Sequence, residues 1–298
     1  MLAKGSAEKV RGMFTALITP FDEKGRVDPD ALARLVPFQI SKGAEGIFPC
    51  GSTGLGPMLS PDERKTVADT VIREVHGRVP VVVQVGAADT ATTVDLAKHA
   101  EDSGAYAVAS LTPFYYRLGE RAMAKHFEAV SAAVDVPVLA YNIPQFTGNP
   151  LQPAAVAELA KSGAVAGIKD SARDFLQLLD LLGAVPDGFT VMNGTEEYGL
   201  FAIMSGADGL VSGGASALPE LFASMVAAQR KGDHRSALAA QQKVQLVKDA
   251  VKSAPIPSYY EILRERGVYC GVPRQPFLAM EGKAAADMIT SLRALGVI

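Results

Sequence analysis

Lys169 is the residue of this chain whose setting most suggests chemistry. It closes the stretch Ala164-Val165-Ala166-Gly167-Ile168-Lys169-Asp170-Ser171, in which small and branched apolar residues run straight into an amine. An apolar run of this length reads as a strand buried on both faces. A lysine at its exit meets a low-dielectric edge, where burial disfavours the ammonium and lowers its pKa. An amine that is neutral near pH 7 attacks carbonyls and forms a Schiff base. The competing reading is a solvated lysine that merely ends a strand, the common fate of Lys. The residues that share its surroundings decide between the two.

Two other stretches carry matching chemistry. In Gly51-Ser52-Thr53-Gly54, the glycines let the backbone at Ser52 and Thr53 approach a carboxylate and hold it through N–H donors. The alternative is a plain turn. Tyr141, at the end of another apolar run, offers a phenol that can shuttle protons as a carbinolamine becomes an imine. The alternative is a core tyrosine with its hydroxyl satisfied. Amine, phenol and carboxylate cradle are the parts that Schiff-base chemistry on a keto acid needs. The protonated imine is its own electron sink, so this reading needs no metal and no cofactor.

The elements that must position these groups are marked by a repeated signal. Lys42-Gly43-Ala44, Ser103-Gly104-Ala105, Ser162-Gly163-Ala164 and Ser205-Gly206-Ala207 each follow an amphipathic stretch and precede an apolar run. Glycine there fits the left-handed position just past a helix end, so each mark is the αβ junction of a repeating unit. Strands are expected at Met13–Ile18, Gly46–Pro49, Val79–Val85, Ala105–Leu111, Val136–Ala140, the Lys169 stretch, Thr190–Met192 and Gly209–Val211. Helices fall between them. One opens on Ser60-Pro61-Asp62-Glu63, a capping box with proline at the first helical position, and Thr195 is expected to cap another. Eight such units over about 230 residues predict an α/β fold, a (β/α)₈ TIM barrel. A barrel over 1–232 and C-terminal helices over 233–298 packed on it complete the expectation. The rival, an open doubly wound sheet, would carry G-x-G-x-x-G after its first strand. The Gly-rich loop here follows the second and has the wrong spacing.

Composition sets the frame. The 298 residues are 48% hydrophobic and 20% charged with net charge −3, as expected of a globular chain with a large core. No block of like charge points to nucleic acid or an anionic membrane. Two cysteines, Cys50 and Cys270, make no disulfide framework. Met1 to Lys9 has no apolar h-region, and no stretch is long enough to span a bilayer. A cytoplasmic location is the expectation.

Barrel active sites use the C-terminal ends of strands. The exits here are Thr19-Pro20, Cys50-Gly51-Ser52-Thr53, Thr112-Pro113-Phe114-Tyr115-Tyr116, Tyr141-Asn142, Lys169-Asp170, Asn193-Gly194-Thr195-Glu196-Glu197 and Ser212-Gly213-Gly214. Several have structural alternatives. Tyr115 and Tyr116 serve equally as loop anchors. Asp170 suits a helix cap or a pair with Arg173. Glu196 and Glu197 suit a helix N-terminus. Gly213-Gly214 suits a phosphate or a turn. His76, His99, His126 and His234 lack metal-ligand spacing. Cys50 reads as a buried small hydrophobe.

Nearly end to end, from Ala16-Leu17-Ile18-Thr19-Pro20-Phe21 to Gly271-Val272-Pro273-Arg274, the chain resembles the dihydrodipicolinate synthase / N-acetylneuraminate lyase family of class I pyruvate aldolases. Gly51-Ser52-Thr53-Gly54, Tyr141-Asn142-Ile143-Pro144 and Gly167-Ile168-Lys169-Asp170 carry the resemblance. It implies Lys169 as the Schiff-base lysine and Tyr141 as the proton-transfer tyrosine. It places Thr53 in the proton relay, and Ser52 with Thr53, on the turn begun by Gly51, at the pyruvate carboxylate. Tyr115 matches the tyrosine that reaches into a neighbouring subunit's site, which implies a homotetramer built as a dimer of dimers. Gly194, Thr195, Glu196 and Val211 are expected to line the substrate pocket.

Two departures shape the expected substrate. Leu55 stands where the family usually has Glu, and Phe146 where the synthases have an Arg for the second substrate's carboxylate. Losing a guanidinium removes a bidentate clamp. Gly54 through Ser60 and Ala107 through Pro113 are similar to the family's 2-keto-3-deoxygluconate aldolases. The implied reaction splits a 2-keto-3-deoxy sugar acid into pyruvate and an aldehyde such as glyceraldehyde. Dihydrodipicolinate synthase (pyruvate plus aspartate semialdehyde), a lyase like that for N-acetylneuraminate, a dehydratase and a non-catalytic keto-acid binding protein are the alternatives.

Overall fold

The computed structural model of the protein describes residues 10–298; the reading of the N-terminal segment lies outside them. Eight parallel strands alternate with helices. In chain order these are β1 (Gly12–Ala16), α1 (Pro29–Ser41), β2 (Gly46–Phe48), α2 (Pro61–Val75), β3 (Val82–Gln84), α3 (Thr90–Asp102), β4 (Ala107–Leu111) and α4 (Glu120–Ala133). They continue with β5 (Val138–Asn142), a one-turn α5 (Pro144–Thr147), α6 (Pro153–Lys161), β6 (Gly167–Asp170), α7 (Phe175–Ala184), β7 (Thr190–Asn193), α8 (Gly199–Met204), β8 (Gly209–Ser212) and α9 (Pro219–Arg230). Three helices follow: α10 (His234–Val251), α11 (Pro255–Glu265) and α12 (Gly282–Ala294).

The strand order β2-β1-β8-β7-β6-β5-β4-β3 leaves β2 and β3 at its ends. They meet through a parallel bridge from Ile47 to Val81, with Ile47 N donating to Pro80 O at 3.0 Å. The sheet therefore closes on itself as a (β/α)₈ barrel. The junction glycines behave as the sequence predicts: Gly43, Gly104, Gly163 and Gly206 all take positive φ. The Ser60 capping box forms with both of its hydrogen bonds, and such a cap is worth about 1 kcal/mol.

Side-chain alternation sorts the core into two layers. Phe14, Phe48, Val82, Ala109, Leu111, Leu139, Tyr141, Met192 and Val211 fill the barrel interior. Met13, Ile47, Val83, Val108, Ala140, Ile168 and Leu210 face the surrounding helices. Inside β6 this parity places Lys169 with the interior set, while Ile168 and Asp170 belong to the outer layer.

The C-terminal helices are tied to the mouth of the barrel. Gln241 of α10 accepts from Leu200 N at 2.8 Å and donates to Glu196 O at 2.9 Å. Tyr260 of α11 donates to Thr19 O at 2.6 Å. Arg274, beyond α11, pairs with Glu63 at the start of α2. Among the described residues no helix is long and apolar enough to cross a membrane.

Three local expectations change. Thr195 caps no helix: its hydroxyl has no hydrogen-bond partner, and α8 begins only at Gly199, after a 3-10 turn over Glu196–Tyr198. Asp170 neither caps α7 nor pairs with Arg173. Asp174 makes that cap through Gln177 N, while Asp170 accepts from Asn142 Nδ2 at 2.8 Å in the outer layer. Gly213-Gly214 offers no free phosphate donor at Gly214, whose N–H is taken by Glu196 Oε1 at 2.7 Å.

Candidate active site

Lys169 and Tyr141 are register partners on β6 and β5, so both side chains enter the same end of the barrel interior. Lys169 is only 3% exposed. Its Nζ lies 4.1 Å from the Tyr141 ring centroid and 4.2 Å from that of Phe48. Aromatic faces favour a cation by about 0.5–2 kcal/mol, yet burial dominates and the Lys169 pKa is lowered from its ordinary value. Tyr141 and Glu196 pull the other way. The barrel thus shifts this amine toward the uncharged form that imine formation requires.

The two hydroxyls of the Gly-rich loop are not equivalent. Ser52 Oγ lies 3.4 Å from the Tyr141 hydroxyl. Thr53 Oγ1 instead turns toward Gly213, where a Cβ would lie 2.7 Å away. Geometry therefore puts Ser52, rather than the expected Thr53, beside the phenol. Among the described residues, neither the Ser52 nor the Thr53 amide donates to a protein acceptor, which leaves both N–H groups for a carboxylate. Gly54 packs the loop onto the barrel: a Cβ there would lie 2.6 Å from Leu17 O.

These groups open into a cavity of about 120 Å³ lined by Lys169, Tyr141, Ser52, Thr53, Gly194, Thr195, Glu196 and Val211. All eight were expected from the sequence. Gly194 is needed for close approach, since a Cβ there would lie 2.0 Å from Ser171 Oγ and 3.1 Å from Lys169 Cε. Gly51 shapes the turn from outside the lining, accepting from Gly56 N at 3.0 Å. Tyr115 also lies outside this cavity. It is 85% exposed on the rim, edge-on to Tyr116.

The far wall is polar. Glu196 Oε1 accepts from Ser212 Oγ at 2.8 Å and from Gly214 N. Its Oε2 has no hydrogen bond and faces Lys248 Nζ at 3.4 Å, with Glu197 Oε1 at 3.6 Å from the same ammonium. Burial disfavours the Lys248 charge, but the two carboxylates outweigh it and its pKa is raised. Arg173, Lys248, Tyr259 and Ala16 are also among the lining residues and carry no signal in the sequence that marks them as site residues. Phe146 sits on the rim, 69% exposed. It also borders an apolar annex of about 250 Å³ with Leu55, Met58, Phe114 and Phe277.

Strain gathers at this end of the barrel. Of the five non-glycine residues with positive φ among the described residues, Cys50, Leu55, Tyr115 and Arg173 lie in loops that follow strand exits. Each costs roughly 1–2 kcal/mol, and such outliers cluster at functional loops. Cys50 itself is inert, since burial raises its thiol to about 11. Among the described residues no three His, Cys, Asp or Glu side chains group as a metal site.

Known proteins resemble this chain over nearly its whole length. The profile of the dihydrodipicolinate synthetase family matches residues 9–295. A 4-hydroxy-tetrahydrodipicolinate synthase of Acidiphilium cryptum is 34% identical over 291 residues, covering 96% of this chain and 99% of the relative. A DapA-like lyase of Halobacterium salinarum is 36% identical over 299 residues, covering 99% and 98%. The crystal structure of YagE, a prophage protein of E. coli K12 in complex with pyruvate, superposes with a TM-score of 0.92 at 28% identity, covering 97% of this chain and 99% of that one.

Proposed function

This chain belongs to the dihydrodipicolinate synthetase family of carbon–carbon lyases, and from that premise we propose that it is a Schiff-base pyruvate aldolase acting through Lys169. The observation that carries the reading is the buried amine with its pKa lowered, register-paired with a phenol, in a cavity with two uncommitted backbone amides.

The pyruvate carboxylate sits on the Ser52 and Thr53 amides. The Lys169 amine attacks the ketone carbon to give a carbinolamine. Tyr141 delivers a proton to the departing hydroxyl, water leaves, and the protonated imine forms. Loss of a methyl proton gives the enamine, whose carbon attacks the aldehyde while the new alkoxide takes a proton back. Water then hydrolyses the imine, and cleavage is the same path reversed. Ser52, 3.4 Å from the phenol, relays the proton that Tyr141 gives and recovers. The imine withdraws the electrons, so no cofactor enters these steps.

For the aldehyde we favour a hydroxylated chain, so that the substrate is a 2-keto-3-deoxy sugar acid. Thr195 and Glu196, both in the cavity lining, are the groups that would receive its hydroxyls. Aspartate semialdehyde is the second reading. The naming of the Acidiphilium cryptum relative favours it, and the exposed Phe146 counts against it. A cytoplasmic homotetramer belongs to the same proposal, with Tyr115 reaching from one rim into the neighbouring cavity. Reduction with borohydride in the presence of pyruvate tests the core of it: one pyruvyl adduct on Lys169 is expected. An unmodified chain would overturn the reading, and a panel of aldehydes ranks the two partners.

A further inference from the structure

We infer that Arg173 is a specificity residue that receives an anionic group, carboxylate or phosphate, at the end of the aldehyde partner remote from its carbonyl. The inference rests on the aldolase reading and deepens it. Arg173 lies in the loop between β6 and α7, lines the Lys169 cavity and is exposed at its rim.

Three observations point to a ligand for it. Of the cations lining the cavity, Lys169 is committed to the imine and Lys248 is held between Glu196 and Glu197. Among the described residues, Arg173 makes no ion pair and no hydrogen bond, although Asp174 is its neighbour in sequence and Glu197 shares its cavity. A guanidinium with five donors left unpaired beside a binding cavity suits bidentate capture of a carboxylate or phosphate.

The second observation is conformational. Arg173 holds φ at +61°, where glycine is at ease and an L side chain is strained. The chain keeps a large charged residue where the backbone would prefer none. The third is the contrast with the opposite wall: Phe146 leads into an apolar annex lined by Leu55, Met58, Phe114 and Phe277, so the charged end of a substrate is drawn toward Arg173.

The test uses the full chain and three aldehydes with pyruvate: glyceraldehyde as the neutral probe, succinic semialdehyde for a carboxylate and glyceraldehyde 3-phosphate for a phosphate. The inference expects kcat/KM to favour one or both anionic aldehydes over the neutral one, less so as salt is added. In Arg173→Gly, which relaxes the backbone, the anionic-to-neutral ratio should fall about 10- to 100-fold, through KM of the anionic aldehyde, with no loss in Tm. Arg173→Lys should restore part of the ratio. The arm that responds identifies the anion. An unchanged ratio in Arg173→Gly, or a wild-type preference for the neutral aldehyde, overturns the inference while leaving the aldolase reading intact. Absence of pyruvate trapping in the wild type overturns both.

Discussion

Tyr141 and Lys169 sit side by side on neighbouring parallel strands, and the lysine nitrogen rests 4.1 Å from the centre of the tyrosine ring. The pairing follows from register alone. Both residues have the inward parity of their strands, so a slip of one residue in β6 would send Asp170 into the barrel and Lys169 into the helical layer. Register and chemistry are therefore one constraint here.

The lowered pKa of Lys169 makes a kinetic prediction. The neutral amine fraction grows with pH, so the rate of borohydride-trapped imine formation should rise and then level off below the 10.5 of an ordinary lysine. Lys169→Met should abolish trapping. A rate that climbs steadily to pH 10 would show an ordinary, solvated amine.

The loop hydroxyls should separate in kinetics. Ser52→Ala removes the group beside the phenol and is expected to lower kcat by about 10²-fold, the low end of general acid–base contributions. Thr53→Val should act mainly on pyruvate KM, because its hydroxyl faces Gly213 instead. Steady-state constants with pyruvate varied distinguish this from the opposite assignment.

Gly194→Ala places a methyl group 2.0 Å from Ser171 Oγ and 3.1 Å from Lys169 Cε. Something must move, and the amine is among the nearest movable groups. Activity should fall by about 10²-fold, the loss expected from a displacement near 1 Å, while far-UV circular dichroism stays that of the wild type. Full activity would mean that Ser171 alone gives way.

Asp170 carries a pH signature. Burial raises its carboxyl from 3.8 to about 6, against the opposing hydrogen bond from Asn142. The folded state therefore holds this proton more tightly than the unfolded chain. The resulting penalty is absent below about pH 4, grows as pH rises to 6 and is constant above, where it amounts to about 3 kcal/mol. Asp170→Asn removes an ionisation, so its Tm relative to wild type should be higher at pH 8 than at pH 4. Melting curves at the two pH values check the sign.

Much of the site was legible because it is built from strand ends. A strand's parity and its exit residue are properties of a few consecutive positions. The apolar run into Lys169, the parity of Tyr141 and the glycines around Ser52 and Thr53 could therefore be read locally. The four junction glycines likewise announced the repeat of strand and helix, and the repeat implied the barrel.

What lay beyond that reading depends on distances between remote elements or on a torsion angle. Lys248 and Tyr259 reach the cavity from α10 and α11, whose helical patterns identify a buried face without telling which polar residue ends above the barrel mouth. The choice between Ser52 and Thr53 as neighbour of the phenol is a matter of where two adjacent side chains point. Thr195 looked like a cap because a threonine stood before a helix, but a 3-10 turn over Glu196–Tyr198 intervenes before α8 begins. The sequence alone determined which groups stand at the strand exits, since hydrophobic periodicity is local. Closure of the barrel and docking of α10 and α11 decided which of them face one another, since that depends on how distant segments share the same space.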